Sequence, residues 1–246
     1  FITGAAGAIG RATATLMLRE GAALVLCDLD AAALDEAGSE FRGPVLTVAA
    51  DVTDRTAVDA AMRAAAERFG GIDIVVSNAG AAFAGAIGEI DDAVLRQSFE
   101  LNFFSHHNVA QAATRVFRLQ GTGGCLLFNA SKQAVNPGPG FGAYGTAKAA
   151  TLALARQYAL EYGRDGIRSN AVNADRIRSG LLSDEMIRER AAARGISEAD
   201  YLSGNLLGKE VRAADVARAF LQLALAERTT GATLTVDGGN VAAALR

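Results

Sequence analysis

The chain has no tryptophan and, in 246 residues, only two histidines, two cysteines and three prolines. His106 and His107 are adjacent, so on a helix they point in different directions. Neither has a partner at metal-ligand spacing, so both read as structural and no metal site is expected. Cys27 and Cys125 are lone cysteines inside apolar runs. They offer no disulfide framework and read as buried thiols of a reducing, cytoplasmic compartment. The net charge is only −3, so there is no broad basic field to attract nucleic acid or an anionic membrane surface. No apolar run reaches the length of a membrane span, and no signal-peptide pattern opens the chain. Repeats, linkers and low-complexity tracts are also missing. So is an initiator Met: the chain opens Phe1-Ile2-Thr3-Gly4. A glycine-rich phosphate loop normally follows a complete strand, so the first strand reads as truncated. An upstream stub or a whole preceding domain is expected.

What is present is an ordinary globular composition, 50% hydrophobic and 21% charged, long enough for one large domain over residues 1–246. Apolar, strand-like runs occur at 22–28, 45–50, 72–77, 124–129, 167–173 and 232–236. Helical patterns lie near 9–20, 31–40, 54–69, 91–118, 143–163 and 213–226. Alternating strands and helices, with nearly continuous apolar strands, predict an α/β fold with a parallel sheet covered on both faces. The polar, Arg-rich segment 178–209 interrupts this alternation and is a candidate substrate lid.

Tyr144 and Lys148 are one helical turn apart and point the same way. A free Tyr titrates near pH ~10 and is a poor base at neutral pH. A neighbouring ammonium favours the phenolate and suits the pair to proton transfer. The bland alternatives are a core aromatic for Tyr144 and an exposed helix cation for Lys148. Ser131 could bond a substrate oxygen or cap the end of a strand. The stretch Thr3-Gly4-Ala5-Ala6-Gly7-Ala8-Ile9-Gly10 spaces its glycines for a tight turn against a pyrophosphate, with a helix N-terminus behind it. A plain strand-to-helix turn is the alternative. Asp28, about 20 residues on, could accept from both adenosine ribose hydroxyls and would repel a 2′-phosphate, which favours NAD over NADP; the alternative is a helix N-cap, a role Asp30 could fill instead. Asp51-Val52 could bind the adenine edge or cap a helix. Asn78-Ala79-Gly80 fits a backbone passing close to the cofactor or a routine turn.

Together these motifs resemble the short-chain dehydrogenase/reductase family. The glycine loop is similar to its cofactor loop, and Asn78-Ala79-Gly80 to its Asn-Ala-Gly element. Tyr144 and Lys148 correspond to its active pair, with Ser131 thirteen residues upstream. Asn102 corresponds to its fourth catalytic residue. Thr230-Gly231 and Val236-Asp237-Gly238-Gly239 match its C-terminal signature. The resemblance implies a Rossmann-type doubly wound sheet, a small alcohol or carbonyl substrate, and a homotetramer or homodimer built through 91–118, 143–163 and the last strand. It implies Tyr144 as base, Ser131 as anchor for the substrate oxygen, and Lys148 tuning the Tyr and bonding the nicotinamide ribose. Asn102 would hold a helix kink and a water linking Lys148 to solvent. Ile177 and Ser179 align with the carboxamide contacts. Many members carry Pro-Gly where this chain has Ala174-Asp175-Arg176. Segments 131–139 and 173–180 look like the dehydrogenase halves of bifunctional deoxy-sugar proteins, in which an aldolase-like domain precedes the dehydrogenase. A cofactor-binding regulatory protein without turnover is the rival class. The charges of the lid read as a solvated face, with Lys132 or Arg178 as candidates for an anionic substrate group.

Overall fold

The computed structural model describes residues 1–244. Its seven strands are β1 (Ile2–Thr3), β2 (Leu24–Asp28), β3 (Val45–Ala49), β4 (Ile74–Ser77), β5 (Gly124–Asn129), β6 (Ile167–Ala174) and β7 (Thr233–Val236). All neighbouring pairs are parallel, in the order β3-β2-β1-β4-β5-β6-β7. Parallel neighbours need long crossovers, and helices supply them: α1 (Ala8–Arg19), α2 (Ala31–Ser39), α3 (Arg55–Phe69), α4 (Asp92–Phe99), α5 (Ser105–Gln120) and α6 (Gly142–Tyr162). Beyond β6 come α7 (Asp184–Ala192), α8 (Glu198–Ser203), α9 (Ala213–Leu225) and α10 (Asn240–Ala244).

The apolar strands are buried on both faces, and alternate residues feed two cores. Val25, Val75, Leu126 and Phe128 join one; Leu26, Val76, Cys125 and Leu127 join the other. Each fully buried Phe, such as Phe117, Phe128 or Phe220, contributes about 1.5–3 kcal/mol by leaving water. Asp30, Asp54 and Asp91 accept backbone N–H groups at the starts of α2, α3 and α4. Such caps stabilise by about 1 kcal/mol each. From β1 the chain winds outward to β3, then returns to β4 on the other side. That reversal leaves a crevice at the carboxyl ends of β1 and β4.

The predicted helix over 91–118 is not continuous. Between α4 and α5, residues Glu100–Phe104 form a π-helical turn, closed by the Ser105 N–H donating to Glu100 O. One extra residue in a turn resets which face the following helix presents. Segment 178–209 holds α7 and α8, which bury Leu182, Ile187, Ala191, Tyr201 and Leu202 in a small core of their own.

Candidate active site

The glycine loop sits where β1 ends. Gly4 has φ +61, and a Cβ there would stand 3.0 Å from Ala79 Cα. Gly10 lies inside α1, where a Cβ would stand 2.3 Å from Gly4 O and 2.6 Å from Ala5 Cα. The loop therefore lies directly on its helix and on the end of β4, and only glycine permits both approaches. Thr3 and Asn78 clamp it. Thr3 Oγ1 accepts from Asn78 N at 2.9 Å and Ala79 N at 3.1 Å. Asn78 Nδ2 donates to Thr3 O and Gly4 O.

Asp28 ends β2 against this loop, with Oδ2 accepting from Ala6 N at 3.0 Å. The cap of α2 is Asp30, so Asp28 is left facing the crevice. Asp51 is not a helix cap either: Asp54 caps α3, and Asp51 Oδ1 accepts from Thr53 N and Thr53 Oγ1. Arg11, which donates to Ala6 O, is held by Glu40 at 2.5 Å and Glu36 at 3.4 Å.

A cleft of about 780 Å³ runs along this edge. Gly4, Gly7, Ile9, Asp28, Asp51, Val52, Asn78, Ala79, Gly80, Ser131, Tyr144, Lys148, Ile177 and Ser179 all line it. Gly10 lies behind the loop, and Asn102 is buried beneath the floor. Glycines that admit close backbone approach, a carboxylate beyond them and a helix N-terminus fit a dinucleotide. Among the described residues, no group of three or more His, Cys, Asp or Glu is placed to hold a metal ion.

At the far end, α6 presents Tyr144 and Lys148, with Lys148 Nζ 5.9 Å from the Tyr144 ring centroid. Ser131 follows β5, and its Oγ accepts from Gln133 N at 3.2 Å, so it does cap a short turn. A hydroxyl that accepts still has its hydrogen to donate, and capping does not compete with a role toward substrate. Burial pushes the Tyr144 phenol above its ordinary value, and the neighbouring Ser131 hydroxyl works the other way. Burial brings Lys148 down to about 7. The expected lowering of Tyr144 by Lys148 is not found: burial of the phenol raises it, and what opposes burial is the Ser131 hydroxyl.

Asn102 occupies the π-helical turn. Its side chain exchanges hydrogen bonds with the Ala81 backbone at 3.2 and 2.9 Å rather than with Lys148. Its carbonyl accepts from Thr151 Oγ1 at 2.6 Å. Arg176 has φ +48, a left-handed residue that is not glycine. Its guanidinium donates to Tyr201 O and Gly204 O and pairs with Asp175. These bonds replace the glycine freedom of the usual turn and tie the strand end to α8. Arg178 is paired with Asp184 and Glu210, whereas Lys132, Arg190 and Arg194 line the cleft.

One contact was not legible in the sequence. His106, read there as structural, lies with Nε2 3.1 Å from Lys148 Nζ and Nδ1 2.6 Å from Ser77 Oγ. Adjacent histidines gave no sign which of them faces the sheet.

A sequence profile described as "Enoyl-(Acyl carrier protein) reductase" matches residues 4–240. The uncharacterized oxidoreductase YuxG of Bacillus subtilis (strain 168) is 34% identical over all of this chain, which spans 37% of that protein's length. The 4-formylbenzenesulfonate dehydrogenase TsaC1/TsaC2 of Comamonas testosteroni is 35% identical, over 97% of this chain and 95% of that protein. The 3-ketoacyl-(acyl-carrier-protein) reductase of Brucella melitensis, solved with NADH, superimposes with a TM-score of 0.88 at 26% identity, over 98% of this chain and 96% of that one. With seven parallel strands, a clamped glycine loop and a whole-length match, the chain belongs to the short-chain dehydrogenase/reductase family, oxidoreductases that act on CH–OH groups with a nicotinamide cofactor.

Proposed function

We propose that the protein is an NAD-dependent dehydrogenase that interconverts a secondary alcohol or hydroxy-carbonyl compound and its oxidised form, with Tyr144 as acid/base. The observation that carries this is that Ser131, Tyr144 and Lys148 share one cleft with the glycine loop and Asp28. Bound NAD⁺ supplies the hydride acceptor and a positively charged ring. The glycine loop and the start of α1 hold the pyrophosphate, Asp28 the adenosine ribose, Asp51 and Val52 the adenine edge, and Asn78, Ala79 and Gly80 the floor. Ile177 and Ser179 hold the carboxamide. Ser131 donates to the substrate oxygen and stabilises charge developing there. Tyr144 removes the hydroxyl proton, and Lys148 supports the phenolate and bonds the nicotinamide ribose. Asn102 keeps the helix opened beside Lys148. Of the two cations considered for an acidic group on the substrate, Lys132 lines the cleft, whereas Arg178 is engaged by Asp184 and Glu210.

A panel of small alcohols, hydroxy acids and sugars with NAD⁺, followed by NADH absorbance, tests the reading. Binding of NAD⁺ with no turnover on any of them would favour the regulatory, non-catalytic alternative. A second reading makes this chain the dehydrogenase module of a bifunctional aldolase/dehydrogenase in deoxy-sugar catabolism. Its support is that YuxG is much longer than the matched region. The subunit mass of the protein isolated from its own cells decides this; a mass no larger than this chain's rules it out.

NAD preference rests on Asp28 and on the engagement of Arg11, the cation that bonds the loop at Ala6 O, by Glu36 and Glu40. Asp28→Ser should lower kcat/KM with NAD⁺ by about 10- to 100-fold, the worth of a hydrogen bond to a charged group. The rate with NADP⁺ should rise relative to it. An unchanged NAD⁺/NADP⁺ ratio would remove Asp28 from cofactor choice.

A further inference from the structure

We propose that His106 is a positioning residue for the acid/base pair: Ser77 holds it as the neutral Nδ1–H tautomer, and its Nε2 accepts from Lys148, keeping that amine charged and aimed. The proposal rests on the reading of Tyr144 and Lys148 given above.

His106 is 1% exposed, in the first turn of α5. Its ring is engaged on three sides. Ser77 of β4 lies 2.6 Å from Nδ1 and Lys148 of α6 lies 3.1 Å from Nε2. The Phe128 ring of β5 is tilted against it at 6.2 Å. An ammonium can only donate, so a nitrogen facing it must carry a lone pair. The single imidazole proton then sits on Nδ1, and the Ser77 hydroxyl oxygen accepts it. An imidazolium is disfavoured twice over, because burial and the Lys148 charge both hold His106 well below its ordinary value.

The second acceptor on Lys148 is Asn129 O, at 2.9 Å. The third ammonium hydrogen is left for the cleft. The titratable groups at this junction are Tyr144 and Lys148 on α6 and His106 on α5; β4 and β5 present Ser77, Asn129 and Phe128. Among the described residues no carboxylate pairs with Lys148, so two neutral acceptors are what oppose the burial that brings it to about 7. Removing one of them disfavours the ammonium. Lys148 then loses its proton at lower pH, Tyr144 loses its neighbouring charge, and the phenolate forms only at higher pH. His106 follows directly on the π-helical turn, which sets the face that α5 presents there.

Two measurements test this. In ¹⁵N-histidine NMR spectra of the wild-type protein with NAD⁺ bound, His106 should keep Nε2 unprotonated through neutral pH; an Nε2–H tautomer overturns the proposal. In His106→Phe, which keeps the ring packing but offers no acceptor, the rising limb of kcat/KM for alcohol oxidation should move alkaline by roughly one pH unit or more. His106→Gln, which restores an acceptor, should return most of that shift. An unmoved limb in a folded His106→Phe overturns the proposal. If that variant does not fold, the tautomer decides alone. Turnover lost in Tyr144→Phe, together with an unmoved limb in His106→Phe, overturns the role of His106 while leaving that of Tyr144 standing.

Discussion

Tyr144→Phe should lower kcat for alcohol oxidation by about 10²- to 10⁴-fold, the range general acid–base catalysis supplies. The substitution removes one oxygen from a buried ring and leaves the rest of the cleft intact. NAD⁺ should therefore bind with nearly unchanged affinity, and the melting temperature should hardly move. That combination separates a chemical role from a packing role. A core tyrosine losing its hydroxyl would change stability more than rate. If kcat in Tyr144→Phe stays within threefold of wild type, proton transfer belongs to another group, and the present mechanism fails.

Gly10→Ala should have the largest effect on architecture. Its new methyl would meet Gly4 O at 2.3 Å and Ala5 Cα at 2.6 Å. Both are backbone atoms, so neither can swing aside as a side chain would. The loop and α1 must separate, at a cost of about 1–3 kcal/mol, which corresponds to a Tm drop of roughly 2–12 °C for a domain of this size. The affinity for NAD⁺ should fall with it, because the same displacement moves the loop away from the helix N-terminus. Gly7→Ala is the control. Gly7 has φ −77, and its methyl would meet nothing closer than 3.4 Å. If Gly10→Ala and Gly7→Ala melt together, the close approach at Gly10 is not what fixes the loop.

The local parts of this site were legible in the sequence. Tyr144 and Lys148 are one turn apart on a helix whose existence the pattern over 143–163 predicts. Asp28 closes an apolar run at 22–28 that reads as a strand, and β2 lies there. What escaped depended on distance along the chain or on backbone conformation. His106 meets Lys148 across 42 residues, and no periodicity says which of two adjacent histidines turns inward. The break at Glu100–Phe104 adds one residue to a turn without changing composition, and Asn102 was its only local sign. At Arg176 the family resemblance implies a departure from the usual Pro-Gly turn. It does not show that the arginine adopts the left-handed conformation and ties itself to Tyr201 and Gly204. Asp51 was ambiguous for a different reason: Asp54, three residues on, is an equally good cap and takes that role.

The segment carrying α7 and α8 has its own small core, separate from the two that flank the sheet. A cooperative unit with few buried side chains opens at lower free energy than the domain that carries it. Its amides should therefore exchange with deuterated solvent through a sub-global opening, ahead of those in β5 and β6, which wait for global unfolding. Opening that unit breaks the bonds from Arg176 to Tyr201 O and Gly204 O. Anything that holds the Arg176 backbone in place from the cleft side would slow that exchange. Protection factors in α7 and α8 would then report occupancy of the cleft even where no reaction can be followed.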